Sequence, residues 1–240
     1  MQSTFLLLQI RDDHDPMREH ELKCFANRLN VRQSAIETWN LLHGPPPADR
    51  VDHAAAVLVG GSGDYSVVRG GPWLSAALDA MQRLVDEGVP TFASCWGFQA
   101  MSLALGGRVD YLPARGHVGT CTLKATPAGR RDTLFGELGD TFTAQLGHED
   151  VVTEVPDGAT VLARSDHGDI QAWRIGALNI WGTQFHPELR MDDLALRLRT
   201  YPKYITDIRG MTWDEFAKSH LQPSPGTDAL LKTFTQCVLS

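Results

Sequence analysis

A cysteine, a histidine and a glutamate carry the chemistry open to this chain. Cys95 lies in the run Val-Pro-Thr-Phe-Ala-Ser-Cys-Trp-Gly-Phe-Gln, residues 89–99, between an apolar stretch and a helical pattern. A thiol at a sharp strand-to-helix turn sits at a helix N-terminus, where partial positive charge favours the thiolate, the nucleophilic form. Small neighbours, Ala93 and Gly97, let such a turn close. Far downstream, Trp181-Gly-Thr-Gln-Phe-His-Pro-Glu188 supplies His186 and Glu188. A thiolate nucleophile needs an imidazole to move its proton, and the imidazole needs an acceptor that fixes its tautomer. A lone cysteine is more often an inert buried thiol, and a lone His-x-Glu an ordinary loop. The two runs together favour nucleophilic catalysis.

The elements that must position these groups alternate strand and helix, which predicts a mostly parallel sheet covered on both faces. Residues 4–10 read as an apolar strand, and Asp15-Pro16 opens a helix reaching about Leu29. Strands are expected over 34–39 and 54–59, the latter running into Gly60-Gly61. Residues 73–87 read as an amphipathic helix stopped by Gly88. Residues 89–93 then form the strand before Cys95, and 96–105 the helix after it. The proline-rich segment 43–49 reads as a loop. From about Val109 to Thr183 the strands become shorter and more alternating, at 121–125, 142–146, 160–163, 170–174 and 178–183. They predict an antiparallel extension of the sheet. Pro187 breaks regular structure just after His186, so both downstream side chains project from one strand end. Beyond Leu189 the pattern is helical, at 192–201, 213–220 and 227–238. The expected organisation is one α/β domain over 1–240, with a core to about residue 190 and a helical addition from about 191.

On these motifs the sequence resembles the class I, triad-type glutamine amidotransferases. Ser-Cys-Trp-Gly-Phe-Gln matches the family's nucleophile motif, and Gln-Phe-His-Pro-Glu, 184–188, its signature for the other two triad members. Val57-Leu-Val-Gly-Gly-Ser-Gly-Asp-Tyr-Ser66 is similar to its oxyanion loop. Gly147-His-Glu-Asp-Val-Val152 is similar to a segment of the branch nearest the amidotransferase domain of GMP synthase. The resemblance implies a flavodoxin-like core and a Cys95-His186-Glu188 triad that hydrolyses the side-chain amide of glutamine through a γ-glutamyl thioester, giving glutamate and ammonia. It also implies oxyanion donors from the Trp96 N–H and the Gly60-Gly61 loop, Gly61 being favoured, and substrate contact by Gln99. Three positions depart from the family pattern: Trp96 stands for a leucine, Phe98 for a histidine, and Arg115 falls where many relatives carry a glutamate. The partner that the resemblance implies is a synthase. Hydrolysis or transfer of γ-glutamyl groups from peptides by the same triad stays open, as does a non-enzymatic binding or regulatory protein that keeps the scaffold. His148 and Asp150 read equally as a border of the active site and as a strand-end turn.

Composition limits the alternatives. With 42% apolar residues the chain can bury a proper core. A net charge of -7 and the absence of a Lys/Arg run leave no footprint for nucleic acid. Cys24, Cys95, Cys121 and Cys237 lie far apart without Cys-x-x-Cys spacing, which disfavours zinc and disulfides and suits a reducing cytosol. Asp12, Asp13, His14 and Asp15 read as a solvated loop with a helix cap rather than a metal site. No cofactor is expected. No signal-peptide pattern or membrane-length apolar run is present, which places the expected protein in the cytoplasm.

Overall fold

The computed structural model describes residues 4–239. The first strand, β1 (Phe5–Gln9), explains the layout by itself: Phe5 and Leu7 enter one apolar cluster, Leu6 and Leu8 the other. Side chains alternate along a strand, so a continuous apolar run must be buried on both faces. Helix α1 (Met17–Leu29) follows, then β2 (Ile36–Asn40), a short α2 (Ala48–Asp52) and β3 (Ala56–Val59). Next come α3 (Leu74–Asp86), β4 (Thr91–Ser94) and α4 (Trp96–Ala104). The middle of the chain holds β5 (Arg108–Tyr111), β6 (His117–Ala125), β7 (Thr141–His148), β8 (Asp150–Glu154), β9 (Ala159–Ser165), β10 (Ile170–Ile175) and β11 (Ile180–Thr183). Helices α5 (Met191–Thr200), α6 (Lys203–Thr206), α7 (Trp213–His220) and α8 (Leu230–Leu239) complete it.

The large sheet has the order β2-β1-β3-β4-β11-β10-β9-β6-β7. From β2 to β11 every pairing is parallel, and from β11 outward every pairing is antiparallel. The parallel part is the doubly wound order, whose ligands bind in the crevice beyond the carboxyl ends of the strands. Residues 60–66, 95 and 184–188 all follow those ends. One face of the sheet packs on α1 and α8 through Phe25, Phe92, Trp181 and Phe234. The other packs on α3 and α4 through Ala77, Met81, Phe98 and Met101. Among the described residues no helix is long and apolar enough to cross a membrane.

Three features escape the sequence reading. β5 and β8 pair antiparallel in a separate two-stranded sheet, Asp110 against Val151. Each is short, and each owes its extended form to a partner some forty residues away. α2 occupies the end of what reads as a proline loop. The tail does not simply append helices: its residues 201–208 reach back over the loop after β3. The Tyr204 hydroxyl donates to Gly63 O at 3.2 Å, Lys203 Nζ meets Asp64 at 2.7 Å, and a methyl group on Gly63 would run into the Tyr201 ring.

Candidate active site

Cys95 sits between β4 and α4 with φ 51° and ψ -103°. It is one of two non-glycine residues of positive φ among those described, the other being Asn30. Holding such a backbone costs on the order of 1–3 kcal/mol, so surrounding bonds must enforce it. The Cys95 N–H donates to Thr183 O at 2.8 Å, and the Gly97 N–H to Gly60 O at 3.1 Å. A Cβ on Gly97 would lie 2.7 Å from Val59 O, so only glycine lets the turn press against β3. The elbow is thereby stapled to the ends of β11 and β3.

His186 leaves the end of β11, its N–H donating to Gln145 O at 2.9 Å. Its Nδ1–H donates to Glu188 Oε1 at 2.7 Å, which fixes the tautomer and leaves Nε2 for Cys95. Because Nδ1 carries that proton, the 3.4 Å approach of Arg197 to Nδ1 is only proximity. The guanidinium's real partner is Glu188 Oε1, at 3.3 Å. Burial works against an imidazolium here, but the charge of Glu188 and the charge and hydrogen bond of Cys95 outweigh it and raise His186 to about 9. Burial likewise opposes the Glu188 carboxylate, and His186 and Arg197 overcome it, lowering the group to about 2. Gly61 touches both members of the pair: a Cβ there would lie 2.8 Å from His186 Cε1 and 3.5 Å from Cys95 Cβ. Gly61→Ala is therefore expected to displace the imidazole and cut kcat roughly 10–100-fold with the unfolding midpoint little changed. Steady-state kinetics with thermal melts check this.

Beneath these three residues lies a buried charge network that the sequence reading missed. Glu21, fully buried on α1, accepts from Gln9 Nε2 at 2.9 Å and from Arg11 Nη2 at 3.1 Å. Arg197 spans Glu21 at 3.7 Å and Glu188 at 3.3 Å. The charges close in pairs, Arg11 with Glu21 and Arg197 with Glu188. The signal was present: Glu21 stands on the apolar stripe of α1, four residues from both Met17 and Phe25, where a charge must be paired. Removing one partner strands the other. Glu21→Ala leaves the buried Arg11 with Asp15 alone and is expected to lower stability by about 3–5 kcal/mol in urea unfolding.

The same network redirects the oxyanion loop. The Gly61 N–H, expected to face a reacting oxygen, donates instead to Glu21 Oε1 at 3.1 Å. The Gly60 N–H is committed to Leu8 O at 3.0 Å. A buried carboxylate between two guanidinium groups draws in every nearby donor, and the peptide N–H of Gly61 is one of them. Trp96, the first residue of α4, has no intrahelical acceptor for its N–H and remains the donor at the nucleophile turn.

Cys95 opens on a hollow of about 350 Å³ lined by Ser62, Tyr65, Arg69, Trp96, Gln99, His148 and Asp150, among others. Gln99 belongs to this lining, with Nε2 held by Asp150 O at 2.9 Å and Gln184 Oε1 at 3.2 Å. Asp150 accepts from Ser66 Oγ at 2.6 Å. Burial, reinforced by His117, drives His148 down to about 3, so it is neutral and donates Nδ1–H to Asp150 O. Of the two readings of His148 and Asp150, the geometry gives the border of the hollow. Trp96 forms its wall, 5.8 Å from the Trp73 ring. Phe98 points the other way and stacks on Trp173 at 5.5 Å. Arg115 lies outside this lining and pairs with Asp169. Asp12 to Asp15 are absorbed by loop contacts, Asp15 Oδ1 capping α1 through the Met17 N–H at 2.8 Å. A second hollow, also about 350 Å³, lies on the His186 side, lined by Gly63, Leu194, Leu198, Tyr201 and Tyr204 with Arg11 and Arg197.

Residues 20–197 match the family model of the glutamine amidotransferases class-I. The chain belongs to this family. Among relatives, the glutamine-hydrolysing component of the GMP synthase of Methanopyrus kandleri is 34% identical over 130 residues, covering 53% of this chain and 67% of that one. The GMP synthase of Corynebacterium glutamicum is 30% identical over 188 residues, 75% of this chain but only 32% of that one. This class-I amidotransferase thus matches less than a third of the longer synthase. Its fold is shared with a glutamine amidotransferase from Thermotoga maritima at TM-score 0.77 and 15% identity, covering 100% of this chain and 99% of that chain. It is also shared with one from Methylobacillus flagellatus at TM-score 0.70 and 18% identity, covering 100% and 94%.

Proposed function

We propose that this chain hydrolyses the side-chain amide of glutamine, with Cys95 as nucleophile, His186 as acid and base, and Glu188 as its orienting partner. The observation that carries the reading is the His186–Glu188 bond of 2.7 Å beside Cys95 on a strained elbow. The Cys95 thiolate attacks the carboxamide carbon, and the Trp96 N–H meets the developing oxyanion. A second donor at Gly61 requires its peptide to turn away from Glu21. His186 gives its proton to the departing ammonia, leaving a γ-glutamyl thioester. The neutral imidazole then takes a proton from water, which attacks the thioester and releases glutamate and Cys95. Water and glutamine in, glutamate and ammonia out, the step balances.

Two features support glutamine over a γ-glutamyl peptide. The hollow at Cys95 carries Arg69 beside Glu149 and Asp150, charges of both signs such as an α-amino acid zwitterion requires. The leaving group departs on the His186 side, where Leu194, Leu198, Tyr201 and Tyr204 leave a small hollow suited to ammonia. Release of ammonia to a partner synthase, in a reducing cytoplasm, completes the reading, with residues to about 190 as catalytic core and the tail as part of the pocket wall. Glutamate release from glutamine and from γ-glutamyl peptides tests it. We expect kcat/KM to favour glutamine at least roughly tenfold; preference for the peptides would overturn the substrate assignment.

A further inference from the structure

We propose a divalent transition-metal site outside the active centre, formed by His20 and Cys24 of α1 and Asp193 of α5. His20 and Cys24 stand one helical turn apart, so they share a face of α1. Asp193 reaches that face from the first turn of α5. Cys24 Sγ lies 3.6 Å from His20 Nε2 and 3.8 Å from Nδ1, and His20 Nε2 lies 3.3 Å from Asp193 Oδ1. One donor atom from each residue falls within 4.8 Å of the others. A tetrahedral zinc with Zn–S of about 2.3 Å and Zn–N or Zn–O of about 2.0–2.2 Å has donor separations of about 3.6 Å between S and N, and about 3.4 Å between N and O. The observed spacings match those edges, so a small turn of the imidazole suffices to admit the ion.

The donors are also available. The other oxygen of Asp193, Oδ2, accepts the Arg190 N–H at 2.9 Å, which holds the carboxylate while Oδ1 faces His20. Cys24 is 3% exposed, whereas the Asp193 side chain is 31% exposed, so the fourth position opens to water. Three protein ligands of mixed sulfur, nitrogen and oxygen character suit zinc or cobalt(II) rather than calcium or magnesium. Binding deprotonates the Cys24 thiol, its proton passing to the buffer, and forms the metal–sulfur bond. The ion would clamp α1, which carries Glu21, to α5, which carries Arg197 one turn beyond Asp193. The site would therefore brace the network under the active centre without touching substrate.

Cobalt(II) alone is the probe, added to the Cys95→Ala protein so that Cys95 and His186 cannot contribute a thiolate site. The expected result is one cobalt per chain with a thiolate-to-cobalt charge-transfer band, and a higher unfolding midpoint. Cys24→Ser in that background should abolish the band, and His20→Gln or Asp193→Asn should weaken binding at least roughly tenfold. Metal-free unfolding curves verify that each variant folds. Absence of a thiolate band in Cys95→Ala, or its persistence after Cys24→Ser, would overturn the site.

Discussion

Replacing Cys95 with alanine is expected to lower glutamate release from glutamine by roughly 10⁴-fold or more. The size follows from what is lost. Without the thiolate there is no thioester, and direct attack of water on the carboxamide must use a group positioned for another step. Binding and the Trp96 donor survive, and they account for whatever rate remains. Loss of fold is not the cause: alanine is smaller than cysteine, and the bonds that impose φ 51°, from the backbone at 95 and 97, are kept. Steady-state glutamate assays with matched unfolding curves check this, and near wild-type turnover would contradict it.

Glu188→Gln has the second largest expected effect, because it changes the charge that holds His186. Burial alone lowers the imidazole; Glu188 and Cys95 are what raise it to about 9. With an uncharged amide at 188, the proton that His186 must deliver is held more weakly, and the orienting bond is no longer charge-assisted. We expect kcat to fall by roughly 10²–10⁴-fold and the alkaline limb of the kcat/KM profile to move from near pH 9 toward neutrality. An alkaline limb that stays in place would contradict this.

Stability follows from the same pair. His186 is raised above its unfolded value of about 6.5, so its contribution is fully present below that pH and is lost as pH rises toward 9. Glu188 is lowered, so its contribution is present above about 4.5 and is lost as pH falls toward 2. Both describe one interaction and count once. Unfolding of wild type should weaken between pH 6.5 and 9 more than that of Glu188→Gln.

The fold and the three candidate catalytic residues were legible because each left a local mark. The alternating apolar faces of residues 5–8, the small residues around Cys95 and the proline after His186 all act within a few positions. What was not legible depends on distant parts of the chain. β5 needs β8 to become a strand, and Tyr204 reaches Gly63 only once α5 has turned the tail back. The Gly61 N–H was assigned by pattern, but its acceptor is set by Glu21, some forty residues earlier on another element. Glu21, Arg11 and Arg197 look like ordinary charged residues singly, and they make sense only as a neutral buried set with Glu188. Phe98 and Arg115 departed from the family pattern, yet neither faces the hollow; Trp96, which does, is the departure that shapes it.

The most direct test of Cys95 as the nucleophile is labelling by a glutamine analogue that carries a chloroketone in place of the carboxamide, followed by peptide mass mapping. One label per chain is expected, on Cys95, formed much more slowly in His186→Ala and blocked by excess glutamine. Label on Cys24, Cys121 or Cys237 instead, or glutamine-insensitive labelling of all four alike, would contradict it.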